Sequence, residues 1–325
     1  MLELNDPLWR KLDDAYRDRD IPALLAGLAA AWDQEEALSL FWDCLCHQDT
    51  LYGATYAAVP HLLKIAAADA NREQRLEIAV FLASAASCAF ARQYASIEER
   101  DKAPLLGLPL SLEEWDHKLD YYRSLGGVLG GQAGAASGEE TEELCHCADV
   151  LKMEPVDAAD LEKIRGIRQD FISALLRIRA LCERAFLENP GNGEAWFYLL
   201  SGIAAADGLH DLAGVLQCGD DGWFKCPSCD WGYEYALFGD RVAIYADEEE
   251  PGADRTLEDY KEGSASRADG FMMPLEADSV VTGAGATLLD RAKRAAGPKA
   301  ELLVRAFLGR FRCRKCGAEG AVKAA

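Results

Sequence analysis

The chain has 325 residues, half of them hydrophobic, and a formal net charge of -21 from 34 basic and 55 acidic side chains. That length buries a large core and predicts two domains or three, while the charge argues against non-specific nucleic-acid binding by the chain as a whole and favours a partner with a basic surface. No run of eighteen apolar residues free of charge appears, which excludes a spanning helix, and the first residues lack a signal-peptide pattern.

Eleven cysteines, an odd number, fit a reducing compartment better than a disulfide framework, so the expected location is the cytoplasm. The expected partner is another protein, with no membrane involved.

The predicted elements in chain order are mostly helices. Asp6 followed by Pro7 caps a first helix with Leu8, Leu12 and Tyr16 on one face. A second covers Ile21 to Ala30, and a third opens near Gln34 and turns Leu38, Phe41, Trp42 and Leu45 inward. A fourth runs from Gly53 past Ile65 with Pro60 inside it, and a fifth from Arg72 to Tyr94. After a turn-rich connector from Ala103 to Leu110, Ser111 opens another helix through Tyr122. Gly126 to Glu140 reads as a loop. A long helix spans Ala158 to Leu187 on a stripe of Ile164, Ile167, Phe171, Leu175, Ile178 and Leu181, and two shorter ones cover Glu194 to Ala206 and His210 to Gln217.

Antiparallel helices joined by short turns describe an α-solenoid or an irregular bundle over residues 1-218. The segment Cys46-His47-Gln48-Asp49-Thr50-Leu51-Tyr52-Gly53-Ala54-Thr55-Tyr56 and on to Leu63 resembles a recurring helix-turn-helix of bacterial HEAT-repeat-like proteins, some of which look like immunity or accessory proteins encoded near toxins. The resemblance implies an all-helical binding scaffold and carries over no catalytic residues. His47, Gln48, Tyr52 and Tyr56, with Thr55 and His61, gather at one helix junction. They either cap the helix end and bond its backbone or line a partner-binding groove.

Residues 219-325 read differently. Cys226-Pro227-Ser228-Cys229 and Cys313-Arg314-Lys315-Cys316 are two Cys-x-x-Cys pairs, each able to hold one edge of a tetrahedral zinc ion through two thiolates. Strand-forming residues surround the first pair, from Trp223 to Tyr245, with Phe238-Gly239-Asp240-Arg241 as a hairpin turn. The pattern predicts a small β zinc ribbon, although a compact ribbon separates its pairs by about 15–20 residues. A long insertion must therefore leave and return, carrying an acidic stretch from Asp247 to Glu262 and a helix from Thr287 to Leu308.

Cys44, Cys46, Cys145 and Cys147, beside His47 and His146, offer enough ligands for a second metal. On a helix, however, residues two apart point about 200° apart, which suits buried structural cysteines better. No phosphate-cradling loop with lysine, no Gly-x-Ser-x-Gly elbow and no His-Glu-x-x-His is present. Composition and motifs thus predict a mainly α protein, a non-enzymatic interaction scaffold with one structural zinc. A nucleic-acid-associated factor using the basic zinc ribbon is the alternative, and an uncharacterised enzyme is a less favoured one.

Overall fold

A computed structural model describes residues 1–15, 19–47, 50–68, 70–90, 156–189, 195–246, 270–276 and 280–324. Tyr16, the helix predicted at Ser111, the loop from Gly126 and the acidic stretch from Asp247 lie outside these residues. Within them the chain is mainly helical, with a small antiparallel sheet toward the C-terminus, and packing divides it into two units, Met1–Leu181 and Cys182–Ala325.

In the first unit the Asp6 carboxylate accepts a hydrogen bond from the Leu8 N–H, but the element it opens is a 3-10 turn, Pro7–Lys11. Helix α1 (Ile21–Ala30) starts at the Asp20 cap, and α2 (Gln34–Ser39) at Asp33, whose carboxylate accepts from the Glu36 N–H. The wider turn Leu40–Leu45 prolongs α2. Its inward residues are Ala37, Leu40, Phe41, Cys44 and the predicted Leu45, while Leu38 lies one position off the three-four stripe and is 41% exposed.

A short antiparallel pair, β1 (Cys46–His47) with β2 (Thr50–Leu51), leads into α3 (Gly53–Ala67). The first N–H groups of α3 have no partner in their own helix, and the buried Asp13 supplies them. Its carboxylate accepts from Gly53 (2.8 Å) and its carbonyl from Ala54 (3.0 Å). Along α3 only Lys64, Ile65 and Ala67 are not buried, as befits a helix whose small alanines let neighbours approach on every side. Helix α4 (Arg72–Cys88) is capped reciprocally by Asn71 and Gln74, and its Phe81 stacks on Phe41 at 4.6 Å.

Helix α5 (Ala158–Glu188) starts on a similar exchange, Asp157 and Asp160 each accepting the other's N–H. Its buried stripe runs Ile164, Ile167, Phe171, Ala174, Ile178 and Leu181. Ala174 is buried and the predicted Leu175 half-buried, although both positions keep three- and four-residue steps between Phe171 and Ile178. Ion pairs from Lys11 to Asp160 (2.5 Å), from Lys163 to Asp6 (2.8 Å) and from the Met1 ammonium to Asp170 (2.7 Å) tie the N-terminal segment to this helix.

The second unit takes up the last residues of α5, then α6 (Ala195–Ala206) and α7 (His210–Gln217). Strands β3 (Asp221–Lys225), β4 (Gly232–Phe238) and β5 (Arg241–Ala246) form a meander, with the hairpin turn at Gly239-Asp240 as predicted. Strand β6 (Gly270–Phe271) extends it beyond β5. The single helix predicted from Thr287 to Leu308 is two, α8 (Gly283–Arg291) and α9 (Pro298–Leu308). Gly297 between them has a φ of 82°, a left-handed conformation that stops the first helix, and Pro298 opens the next.

Three more short strands complete the unit: β7 (Phe311–Arg312), β8 (Glu319–Gly320) and β9 (Lys323–Ala324). Among the described residues strand β7 pairs with β8 alone, while β9 joins the outer side of β3, giving the sheet order β6-β5-β4-β3-β9.

Candidate metal centre

Each cysteine pair sits in the turn of a hairpin, the first between β3 and β4 and the second between β7 and β8. The two turns repeat each other bond for bond. Cys226 donates its N–H to the Trp231 carbonyl and accepts at its own carbonyl from Asp230; Cys313 donates to Ala318 and accepts from Gly317. All four bonds measure 2.9 Å. The residue after the second cysteine has a positive φ in both, 54° at Asp230 and 73° at Gly317. Phe224-Lys225-Cys226 and Phe311-Arg312-Cys313 therefore occupy equivalent places, with the phenylalanines paired across their hairpins to Tyr233 and Gly320.

Those aromatic residues hold the turns together. Phe224 meets Phe311 edge-on at 5.0 Å and stacks on Tyr233 at 5.4 Å, and Tyr233 meets Phe311 at 5.5 Å, all three nearly inaccessible. Tyr235 continues the cluster to Phe307 on α9, and its hydroxyl donates to the Val215 and Gly219 carbonyls.

The four sulfurs converge. Sγ of Cys226 lies 3.8 Å from that of Cys316, Sγ of Cys229 lies 3.7 Å from that of Cys313, and all four are within 4.8 Å of one another. They are free thiols, far beyond the S–S bond length. Four thiolates at about 2.3 Å from a common centre form a tetrahedron whose edge is about 3.8 Å. The cluster can bind a metal ion, and it is the one such group among the described residues.

Cys226 and Cys313 are 1% exposed, Cys229 is half-buried and Cys316 is exposed. Burial opposes ionisation of Cys313, yet hydrogen bonds from the Tyr233 hydroxyl, the Cys316 backbone and the neighbouring thiols bring it down to about 6. At Cys229 the Trp231 backbone favours the thiolate, but burial and the three other thiols outweigh it and push the group up to about 12. Burial also raises Cys226. Ionisation is favoured at Cys313 and opposed at Cys226 and Cys229, so a metal ion bound there would displace protons from the latter two.

Tyr233 was read from the sequence only as a strand residue. In the fold its hydroxyl donates to Sγ of Cys313 (3.2 Å) and accepts the Arg314 N–H (2.9 Å), reaching from the first hairpin to a ligand of the second. No periodicity announces a contact between residues 80 apart. The signal for the matching turns is the shared aromatic-basic-Cys-x-x-Cys spelling followed by Asp or Gly, which the strand pattern alone does not bring out. Lys315 adds a second bridge, its Nζ 3.6 Å from the centre of the Trp231 ring.

The residues predicted at the first helix junction do not assemble in this way. Tyr56 is fully buried and meets Phe171 edge-on at 5.0 Å. Tyr52 is half-buried at the start of α3, where its N–H donates to the Thr55 hydroxyl (3.0 Å). His47 lies in β1, and Gln48 is outside the described residues. His61 is buried with Nε2 2.8 Å from the Leu2 carbonyl, at the border of a groove shared with Trp32, Lys64 and Gln74. Cys44 and Cys46 are buried, and Cys145 and Cys147 lie outside the described residues.

No helix of the described residues is long and apolar enough to cross a membrane. Comparison with protein-family models, with curated proteins and with solved structures finds no match.

Proposed function

We propose that this protein is a non-catalytic binding scaffold whose C-terminal unit is a split zinc ribbon closed by one structural zinc ion. The convergence of four cysteine sulfurs at tetrahedral spacing carries the reading. A complete set of four thiolates leaves no position for water or substrate, unlike the open sites of zinc enzymes. Sulfur-only tetrahedral sites suit zinc or iron, and two hairpin knuckles sharing one ion make a ribbon. Native mass spectrometry of the purified chain is expected to show one zinc per molecule, lost on Cys226→Ser or Cys313→Ser. Stoichiometric iron in its place, or full zinc retention by both variants, overturns the assignment.

Function then belongs to the helical surfaces, which we take as a HEAT-like solenoid or irregular bundle that binds another protein. The net charge of -21 favours a partner with a basic surface, drawn in by complementarity of field and shape. Neutralisation of a basic toxin, in the manner of an immunity protein, is the most concrete form of this role. An odd number of cysteines and a thiolate metal site fit a reducing compartment, and we take the cytoplasm as its location. A stoichiometric complex with the product of a neighbouring gene, weakening as salt rises, is the expected result. Turnover of a small substrate without any macromolecular partner sinks the reading.

A further inference from the structure

The groove that His61 borders lies wholly within the first unit, among the N-terminal segment, α1, α3 and α4. Its volume is about 840 Å³, inside the range of about 300–1,000 Å³ that small-molecule sites occupy. Leu25 and Leu28 of α1, Ile65 of α3 and the half-buried indole of Trp32 supply an apolar lining. Four polar side chains border the same space: Glu3, His61, Lys64 and Gln74. An apolar wall with a few polar groups that fix orientation is the usual make-up of a site for a small molecule.

His61 is the least accessible of the four, 7% exposed. Its Nε2 faces the Leu2 carbonyl at 2.8 Å, and a nitrogen opposite a carbonyl must carry the proton, so Nδ1 of the neutral ring is an acceptor. Burial lowers the pKa of the ring and keeps it neutral near neutral pH. Nδ1 has no hydrogen-bond partner among the described residues, so it awaits a donor from outside the protein. Gln74 is the converse. Its Oε1 accepts the Asn71 N–H (2.8 Å) in the cap of α4, which leaves its amide N–H groups without a partner among the described residues. Lys64 lies one turn beyond His61 on α3, and neither it nor Glu3 closes an ion pair among the described residues, with each other or with any other group. Lys64 opposes protonation of the His61 ring and Glu3 favours it, so both charges lie within electrostatic reach of one imidazole. Water can serve a lone acceptor, but two opposite charges beside an apolar wall select a larger guest that carries both signs.

From this we infer that the groove binds a free α-amino acid with a large apolar or aromatic side chain. The side chain takes the wall of Leu25, Leu28, Ile65 and Trp32, the ammonium is met by Glu3 and Nδ1 of His61, and the carboxylate by Lys64 and the Gln74 amide. An α-amino acid carries both charges on one carbon, which suits two opposite charges around a single ring. An apolar acid or an apolar amine would leave one of them unanswered. The protein partner proposed above is recognised over a surface, whereas this site takes a small molecule, and neither reading depends on the other.

Isothermal titration calorimetry of the full chain with phenylalanine, leucine and tryptophan tests the inference. Saturable one-to-one binding of at least one of the three is expected. For the amino acid that binds, its amide, which lacks the carboxylate, and its deamino acid, which lacks the ammonium, should each bind about tenfold more weakly or worse, the worth of one charge-assisted hydrogen bond. Lys64→Gln should remove the preference for the amino acid over its amide, and Glu3→Gln the preference over the deamino acid. Ala29→Trp, at an exposed position on the α1 side of the groove, should fill the space and abolish binding. Thermal melts of each variant separate loss of the site from loss of the fold. Absence of binding by all three amino acids at millimolar concentration overturns the inference, as does binding that Ala29→Trp and Lys64→Gln leave unchanged. Binding of the deamino acid or of the amide as tight as that of the amino acid overturns it in favour of a simple apolar acid or amine.

Discussion

At residue 233 one hydroxyl serves two neighbours, donating to a ligand sulfur and accepting a backbone N–H of the opposite hairpin. Tyr233→Phe keeps the ring against Phe224 and Phe311 and removes both bonds. Outer partners of metal ligands typically carry tenfold to a hundredfold in affinity, so this variant, once loaded with zinc, should yield the ion to a chromophoric chelator at about that much lower chelator concentration. An unchanged competition curve assigns the hydroxyl to packing alone. In the first unit, His61 makes a prediction about pH. Burial holds its folded pKa below the ordinary value of 6.5, with the Leu2 hydrogen bond opposing. Between those two values the unfolded chain takes up a proton that the folded chain refuses, so stability is full above pH 6.5 and declines as pH falls below it. Thermal melts across that range should show the decline, and His61→Gln should flatten it. An identical pH profile in the variant removes His61 as the cause.

At the scale of the element, the matched turns show why one pair tolerates aspartate where the other has glycine. A left-handed residue must follow the second cysteine in each, and Asp is among the few side chains that visit that region readily. Asp230→Val should cost about 1–2 kcal/mol in urea unfolding and Asp230→Gly much less; equal effects would show that the turn does not depend on this conformation. The comparison also marks what could be read in advance. Helices α1, α3, α4 and α7 begin where capping residues, a β-to-helix change or a Gly turn announce them, because those signals act within a few residues. The break at Gly297 escaped because the apolar spacing through Leu288, Leu303 and Phe307 continues across it, although Gly297-Pro298 is itself a stop and start signal. The cysteine pairs were legible since two thiolates of one edge are local in sequence. The support of Cys313 by Tyr233, the addition of β9 to β3, and the burial of Tyr56 against Phe171 are tertiary contacts, and no local pattern encodes them.

For the whole molecule, a metal ion held by the four cysteines would be a cross-link between distant positions. Cys229 and Cys313 are 84 residues apart, and closing a loop of that size by a covalent bridge removes about 4–5 kcal/mol of entropy from the unfolded chain on the loop-entropy view. A metal clip acts in the same sense, and its binding free energy becomes folding free energy of the unit that holds it. Chelation followed by hydrogen exchange should therefore deprotect amides of β3, β4 and β9 while those of α3 and α4, in the other unit, stay slow. Protection retained throughout the sheet would mean that the aromatic cluster closes the unit without the ion.

The matched hairpins also order events in time. The first pair of thiols is synthesised 84 residues before the second, and at about 5–20 residues per second the interval is about 4–17 s. Throughout it, Cys226 and Cys229 form half a coordination sphere, a dithiol open to copper, to oxidants and to the thiols of other nascent chains. Slow translation lengthens that exposure, so the yield of correctly metallated protein should depend on how fast the intervening stretch is made.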